Sequence, residues 1–289
     1  YYGRITSDNL VRKLFIDGYN DDPAAQERRH RVNDRLIDTM LTRMLQGDTS
    51  LTVARAIHAT APGQHIRIHL SDNRLAAALH EADVDGAQPA PEPDRIAFYT
   101  QNQNSSKVDV FQTRTVTHDV HLQEDGSATV VQKAKVTNNA PRTRLAVAER
   151  TGYSTGWAFH WNIVLLPENA QDVKISANPG DIKKDRRTFV DVDGRHAVRV
   201  GRWIPPGGTS RIITTYRLPA GTFGTDGNLV YRAGVEHQLT VNDVQMRINV
   251  IGPSQPTPIE GAWTTTGNHA STRFAVTGPT TVAVGFGDH

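Results

Sequence analysis

Alternation of apolar and polar residues beyond residue 95 constrains the fold more than any other feature of this sequence. Such period-two alternation is typical of β-strands that bury one face. Two alternating stretches, residues 108–122 and 128–136, flank an Asp125-Gly126 pair that favours a hairpin turn. Many short strands with frequent turns predict an antiparallel, Ig-like β-sandwich over residues 95–289. Further strands are predicted over residues 160–166, 173–177, 188–192, 197–203, 210–217, 229–238, 244–251 and 280–286.

The chain before this β-rich part has a helical pattern instead. Thr6 or Ser7 is suited to cap a first helix, and Pro23 stands where a second helix begins. The predicted fold class is therefore α+β, with a partial, mainly helical α/β segment over residues 1–86, a proline-rich linker over residues 87–94 and the β-sandwich. Four helices are predicted over residues 6–18, 23–46, 50–61 and 72–81, with one strand over residues 65–70.

The strand predicted at residues 65–70 has few partners within the first 95 residues. A strand without neighbours leaves a row of backbone N–H and C=O groups unpaired, which is unfavourable in a folded protein. We therefore expect residues 1–86 to be the C-terminal portion of a larger domain. The expected partner is the N-terminal segment of the same gene product.

One arginine interrupts the apolar face of the second helix. Arg29 projects close to the line of Leu36 and Met40 at 100° per residue, near a helix start that favours anions. A guanidinium can form two parallel bonds to phosphate, so Arg29 is a candidate phosphate ligand. The alternatives are an ion pair with Asp21 or a solvated helix end. Other residues of the predicted apolar stripe are Val32, Ile37, Leu41, Met44 and Leu45, whereas Arg28, Arg31 and Arg35 lie on the opposite, solvent-facing side.

Composition excludes several classes of protein. The chain has 289 residues and a net charge of +2, without a long basic run, which disfavours bulk nucleic-acid binding. It contains no cysteine, so disulfides and thiolate metal sites are excluded. No apolar run is long enough to span a membrane, so membrane attachment is expected only through an N-terminal anchor outside this sequence.

Other candidate sites are weaker. His65 and His69 share a strand face with Arg67, whose charge disfavours a metal ion, and we predict neither metal nor cofactor. His118 and His121 fall on opposite faces of a strand. The polar residues 101–107 are predicted to be too hydrophilic for the core. Tyr153, Trp157, Phe159 and Trp161 alternate toward Ile163 and Leu165; this pattern suits a glycan platform, but it favours a core strand.

Six short motifs stand out along the chain: Ile5–Asn9, Arg28–Arg31, Asn102–Phe111 with Arg114, Thr137–Pro141, Tyr216–Pro219 and Val235–Pro253. Together they resemble the C-terminal part of the domain-of-unknown-function 4012 family, membrane-anchored extracytoplasmic proteins common in actinobacteria. The helical half is also distantly similar to the LytR-CpsA-Psr phosphotransferases, which transfer glycopolymers from polyprenyl-phosphate carriers to the cell wall.

The resemblance implies a phosphate site in which Asp21, Asp22, Arg28, Arg29 and Arg31 hold the comparable positions. The phosphotransferases also use an upstream arginine and aspartate that this sequence lacks, so no catalytic residue is assigned. The first expectation is a cell-envelope protein that handles a phosphate-linked glycan or polyprenyl-phosphate carrier, with glycopolymer transfer to the cell wall as its extension. The alternative is a non-catalytic extracytoplasmic scaffold or a protein that binds cell-wall polysaccharide. A glycoside hydrolase would require two carboxylates in one cleft, which sequence spacing cannot show.

Overall fold

The computed structural model describes residues 3–17, 23–46, 55, 58–61, 63, 68, 70–82, 84–85, 92–141, 150–152, 155–178, 187–192, 195–225 and 227–287. Within these residues, no helix combines the length and the hydropathy needed to cross a membrane.

Before the β-rich part, three helices can be followed from end to end within the described residues, and each was predicted from sequence. Helix α1 spans Ser7–Arg12 and continues as a wider turn over Lys13–Asp17, with Thr6 N–H donating to Asn9 Oδ1 at 2.9 Å. Helix α2 spans Pro23–Gln46, and helix α3 spans Asn73–Glu81. The Asp72 carboxylate caps α3 by accepting hydrogen bonds from the first free N–H groups of the helix.

Two predicted elements of the N-terminal part lie mostly outside the described residues. Of the helix predicted over residues 50–61, only residues 55 and 58–60 are described as helical. Of the strand predicted over residues 65–70, only Ile68 and Leu70 are described, and neither forms part of a strand. The Ile68 N–H donates to the carbonyl of Asp85 at 3.0 Å, which places residue 68 beside the end of α3. His65 and His69 lie outside the described residues.

The rest of the described chain is built from strands. A short 3-10 turn, Val108–Phe111, joins the first two. In chain order the strands are β1 Asp94–Asn102, β2 Gln112–Leu122, β3 Ala128–Asn138, β4 Ala158–Leu165, β5 Gln171–Asn178, β6 Arg187–Val192, β7 Arg195–Ile204, β8 Thr209–Leu218, β9 Gly224–Thr225, β10 Asn228–Val235, β11 Val244–Ile251, β12 Pro256–Glu260, β13 Thr264–Thr266, β14 His269–Val276 and β15 Thr280–Phe286.

These strands form two sheets. The first sheet has the order β12-β15-β10-β1-β4-β7-β6, with β9 paired to β10, and the second has the order β13-β14-β11-β2-β3-β8-β5. The prediction of purely antiparallel sheets is wrong, because β1 pairs with β10 and β2 pairs with β11 in parallel. The reason is that the chain crosses from the first sheet to the second from β1 to β2 and again from β10 to β11, with β10 beside β1 and β11 beside β2. Both crossings run in the same direction, so the corresponding strands lie side by side in parallel.

The main hydrophobic core contains residues from the alternating positions of both sheets, among them Ile96, Val130, Tyr231 and Ile248. Strands β2 and β3 show the predicted period most clearly, since every second side chain is buried along each strand. The turn between them needs Gly126, which has φ +72° and lies so close to Gly224 that a Cβ atom would be 2.0 Å from its carbonyl oxygen. The protein is therefore an α+β protein in which two mixed sheets dominate.

Candidate functional site

Arg29 is buried, with 4% of its surface exposed, on a helix whose neighbouring arginines face solvent. Its Nη2 lies 3.3 Å from His30 Nε2. Arg28, Arg31 and Arg35 are exposed, and Arg31 Nη1 contacts Glu27 Oε1 at 2.5 Å, as predicted for an i, i+4 pair. The burial predicted for Arg29 alone among these arginines is confirmed.

Not all of the predicted α2 face is buried. Ile37 is 54% exposed, although the sequence pattern placed it in the apolar stripe. At 100° per residue it lies about 80° around the helix from Arg29, so it stands at the rim of that stripe rather than at its centre. The two acidic candidates for the phosphate site, Asp21 and Asp22, lie outside the described residues. The structure therefore describes the arginine part of the predicted site and not its acidic turn.

A buried polar cluster between the two sheets was missed in the sequence analysis. Asp94 on β1 accepts a hydrogen bond from Tyr216 at 2.9 Å through Oδ1, and its Oδ2 accepts bonds from Tyr231 at 2.9 Å and His118 Nε2 at 2.8 Å. His118 Nδ1 lies 3.3 Å from Gln132 Oε1. His118 and His121 lie on opposite faces of β2, as predicted, and the face of His118 is the buried one.

Electrostatics in this cluster favour an ionised Asp94. Burial alone raises the pKa of a carboxyl group, but the nearby His118 and the hydrogen bonds from both tyrosines outweigh it and hold the pKa of Asp94 below its usual value. Burial and the Asp94 charge raise the pKa of Tyr216 and of Tyr231 well above the usual range. Both phenols therefore stay protonated and remain donors to the carboxylate.

A second buried cluster surrounds Arg114 on β2. Its Nε donates to Thr100 Oγ1 at 2.9 Å, and its Nη2 donates to Gln112 Oε1 at 2.8 Å and to Asp109 Oδ1 at 3.3 Å. Because Oε1 of Gln112 is an acceptor for Arg114, its Nε2 is the donor to His160 Nε2, 3.1 Å away. That bond requires a neutral imidazole with its proton on Nδ1.

Burial lowers the pKa of His160 to about 4, with the Arg114 charge acting in the same direction and Asp109 opposing both. Asp109 borders a small cavity of about 180 Å³, and its Oδ2 accepts a hydrogen bond from Asn102 at 2.9 Å. The neutral His160 therefore stands behind a carboxylate that reaches the protein surface.

The polar segment over residues 101–107 is not excluded from the core, so that prediction is wrong. Asn104 and Ser106 are 6% and 3% exposed. Their side chains donate to the carbonyl oxygen of Trp157 at 2.6 Å and 3.1 Å, and Ser106 also donates to Asn104. Such polar residues tolerate burial because the backbone before β4 satisfies their hydrogen bonds.

On the outer face of the first sheet, which points away from the second sheet, the carboxylate of Glu236 is buried between three donors. Arg95, Arg195 and Tyr99 all donate to it. Burial and the Glu236 charge raise the pKa of Tyr99. Both arginines also line a cavity of about 780 Å³, together with Glu92, Pro93, Leu166, Pro167, Glu168, Asn169 and His196.

The aromatic residues of β4 lie on the outer face of the first sheet, so the prediction that they form a core strand is wrong. His160 and Asn162 take the buried positions, whereas Phe159 and Trp161 are only partly buried. Among the inward polar atoms, His160 Nε2 is hydrogen-bonded to Gln112, and Asn162 Nδ2 donates to the Val200 carbonyl at 3.2 Å. The sequence pattern therefore predicted correctly that these aromatic residues share one face of β4, but it did not predict that this face is the outer one.

In the part of the chain that the structure describes, no three His, Asp or Glu side chains are grouped closely enough to hold a metal ion. Asp119, His121 and His269 are among the residues that line a surface cavity of about 450 Å³. Asp119 there is already bound to Lys133 and Asn249, each at 2.7 Å.

Comparison with known proteins gives little further information. No protein-family model matches the chain, and no curated protein matches it. Among solved structures, the chain is similar to an M1 zinc metallopeptidase from Deinococcus radiodurans, with a TM-score of 0.30 and 13% identity over 60% of this chain and 42% of that one. It is also similar to native yeast LTA4 hydrolase, with a TM-score of 0.31 and 6% identity over 61% of this chain and 29% of that one. The chain thus spans less than half of either protein, and likenesses this weak support no argument about function.

Proposed function

We propose that this chain is an extracytoplasmic cell-envelope protein that binds the phosphate of a phosphate-linked glycan or polyprenyl-phosphate carrier through helix α2. The observation that supports the proposal is the burial of Arg29, 4% exposed, beside the exposed Arg28 and Arg31. Arginine is among the residues least often buried, and a phosphate is an anion that a buried guanidinium is suited to bind.

A phosphate group suits such a position for two reasons. A guanidinium forms two parallel, charge-assisted hydrogen bonds to phosphate oxygens, which a lysine cannot do. The first turn of α2 contains no acidic residue to repel an anion, and Glu27 is paired with Arg31. The proposal assigns a binding role to Arg29, with Arg28, Arg31, Asp21 and Asp22 as accompanying residues, and it assigns no catalytic residue.

The β-rich part is proposed to be an Ig-like accessory module that begins near Arg95. Its two sheets share one hydrophobic core, which supports a single folded unit from β1 onward. The proposed affiliation is with the domain-of-unknown-function 4012 family, and the helical part is proposed to resemble the LytR-CpsA-Psr phosphotransferases. On this proposal the helical part binds the carrier and the β-rich part supports it at the cell surface.

Binding of farnesyl pyrophosphate, a soluble polyprenyl pyrophosphate, tests the proposal by isothermal titration calorimetry. Arg29→Gln should weaken binding by at least about tenfold, since a hydrogen bond to a charged group contributes about 1.5–3 kcal/mol. Arg35→Gln, which removes an exposed charge from the same helix outside the proposed site, should change affinity less than about threefold. Equal loss in both variants, or no binding by the wild type, would contradict the proposal. Thermal unfolding of each variant shows whether it remains folded.

The second candidate is a non-catalytic envelope protein that binds glycan. One observation favours it: Phe159, Trp161 and Trp203 are stacked on the outside of the first sheet rather than inside the core. Under this candidate, Arg29 is a structural residue and the aromatic residues on the outside of the first sheet contact the glycan. Loss of pyrophosphate binding in Arg29→Gln separates the two candidates, because glycan binding by those aromatic residues would not depend on Arg29.

A further inference from the structure

The outer face of the first sheet carries a continuous aromatic surface across β4 and β7, here called the aromatic face: Phe159, Trp161, Trp203, Arg199 and Gly201. The pairing of the two strands brings these residues together, since Phe159 stands opposite Trp203 and Trp161 stands opposite Gly201. All three aromatic side chains remain partly exposed. The aromatic face lies on β4 and β7 and contains no residue of helix α2, and the inference drawn from it is independent of the role proposed for Arg29.

The rings form a packed array with one stacked and one tilted contact. Phe159 and Trp203 are stacked, with ring centroids 4.7 Å apart and planes inclined by 23°, whereas Phe159 and Trp161 have centroids 5.8 Å apart and planes inclined by 55°. Gly201 lets Trp161 lie directly on the backbone of β7, because a Cβ atom there would be 2.9 Å from Cζ3 of the indole. The array is therefore held rigidly by its own packing and by the sheet beneath it.

The cationic group on this face is a guanidinium. Arg199 lies over the Trp161 ring, with Cζ 4.4 Å from the ring centroid. A second arginine, Arg150, lies 4.8 Å over the Trp157 ring just before β4. Among the described residues, neither arginine has a carboxylate within ion-pairing distance. Glu236, an acidic group of the same sheet, is already bound by Arg95, Arg195 and Tyr99.

We propose that the aromatic face is a binding site for a saccharide that carries an acidic group, either a carboxylate or a phosphate. The apolar C–H face of a sugar ring stacks on an aromatic ring, and adjacent rings offer successive sugar units a continuous platform. Arg199 supplies the complementary charge beside Trp161, and a guanidinium is suited to both acidic groups. Two features together therefore indicate the chemical class of the ligand: the aromatic array, and an arginine without an acidic partner in the described chain.

A single-stranded nucleic acid also combines flat rings with negative charge, but the chain suits it less. Proteins that bind nucleic acid through stacking place the aromatic rings in a groove whose many basic residues track the phosphate backbone. Here 32 basic residues are balanced by 30 acidic ones, and the other arginine on this face of β7, Arg195, is paired with Glu236. A saccharide whose acidic groups are widely spaced suits a single guanidinium better than a nucleic acid, which carries a phosphate at every unit.

Fluorescence titration tests the inference, because Trp161 and Trp203 are two of the four tryptophans of the chain. The probes are tetragalacturonate with its methyl ester, and mannopentaose phosphate with unmodified mannopentaose. Each acidic probe has the same sugar rings as its neutral counterpart. The wild type should bind at least one acidic probe about tenfold more tightly than its neutral form, and the probe that binds identifies the acidic group.

Three variants assign the effect to residues. Trp161→Ala should abolish binding of both forms, whereas Arg199→Gln should reduce the acidic probe to the affinity of the neutral one. Phe189→Ala is the matched control, since Phe189 is an exposed aromatic residue on β6, paired with the inward-facing Val198, and should bind as the wild type does. Trp203→Phe keeps an aromatic ring in the array and should retain most of the affinity. It therefore still tests the role of the aromatic rings if Trp161→Ala unfolds.

Four results would overturn the inference. They are absence of binding to every saccharide, equal affinity for acidic and neutral forms, unchanged binding in both Trp161→Ala and Arg199→Gln, and tighter binding of oligo(dT) than of any saccharide. Pyrophosphate binding that depends on Arg29 is measured separately and does not enter this test. Each proposal can therefore fail while the other stands.

Discussion

Replacement of Asp94 by asparagine should destabilise the protein more than any other single-atom change in the described core. The Asp94 carboxylate is completely buried and accepts hydrogen bonds from Tyr216, Tyr231 and His118 at 2.8–2.9 Å. Asparagine has nearly the same shape, so the substitution changes charge and hydrogen bonding without leaving a cavity. The predicted effect is therefore electrostatic.

The structure sets the size of the effect. An amide offers one acceptor oxygen and one NH₂ group, so at least one of the three donors must face a donor after the change. If the amide oxygen takes the position of Oδ2, Tyr231 and His118 keep uncharged bonds and Tyr216 loses its acceptor. One lost bond and two weakened bonds to a formerly charged group correspond to about 3–5 kcal/mol of unfolding free energy.

Equilibrium unfolding in urea at pH 7, followed by tryptophan fluorescence, measures the loss, with an unchanged slope against urea as evidence that only stability has changed. Asp119→Asn is the control, because Asp119 also accepts two bonds but lies on the partly exposed outer face of β2. Its replacement should cost about 1 kcal/mol or less.

A double-mutant cycle identifies the cause of the loss. Tyr231→Phe should cost more in the wild type than in Asp94→Asn, because the second background has already lost the charge that the phenol binds. The expected coupling is at least about 1 kcal/mol. Independent, additive effects of the two substitutions, or a loss below 1 kcal/mol in Asp94→Asn alone, would refute the account of this cluster.

Two further predictions concern His160 and Gly126. The pKa of His160 falls to about 4 in the folded protein from 6.5 in the unfolded chain, so the unfolded state binds the extra proton as pH decreases. Wild-type stability should therefore drop by about 3 kcal/mol relative to His160→Gln between pH 6.5 and 4 in urea titrations, and parallel curves would contradict this. Gly126→Ala should cost more than about 2 kcal/mol by thermal unfolding, because φ is +72° and the new methyl group meets Gly224. Gly267→Ala, with φ +57° and open space, should cost about 1 kcal/mol, and equal losses would contradict the steric argument.

Sequence patterns predicted most of the elements that have one buried face, although β14, which buries Ala270, Thr272 and Val276, was missed. Strands β2 and β3 alternate strictly and were found, as were helices α1, α2 and α3. Strand β1 was missed because Ile96, Ala97 and Phe98 are all buried, so that strand has no polar face to produce an alternation. Strand β12 was missed for the opposite reason, since it is largely exposed and contains proline.

The candidate sites, too, were predictable from sequence only where they depend on a local pattern. The burial of Arg29 was predictable because helical phase is a local property of the sequence. Alternation likewise placed Phe159 and Trp161 together, but the choice of inner face depends on what the facing sheet offers. There, Gln112 on β2 accommodates His160, and no local pattern in β4 contains that information.

The Asp94 cluster shows why buried polar groups are the hardest feature to predict and what they contribute to the fold. Its members come from β1, β2, β8 and β10, and its hydrogen bonds join residues separated by 24 to 137 positions in the chain. A slip of one residue in the register of β1 would turn Asp94 to the outer face and leave the donors of His118, Tyr216 and Tyr231 unsatisfied in the core. For the apolar residues alone, the same slip in register would cost less. Both faces of β1 are buried there, with Ile96 and Phe98 on one face and Ala97 on the other. On β1, where apolar alternation is absent, the polar cluster therefore specifies the register that hydrophobic burial leaves open.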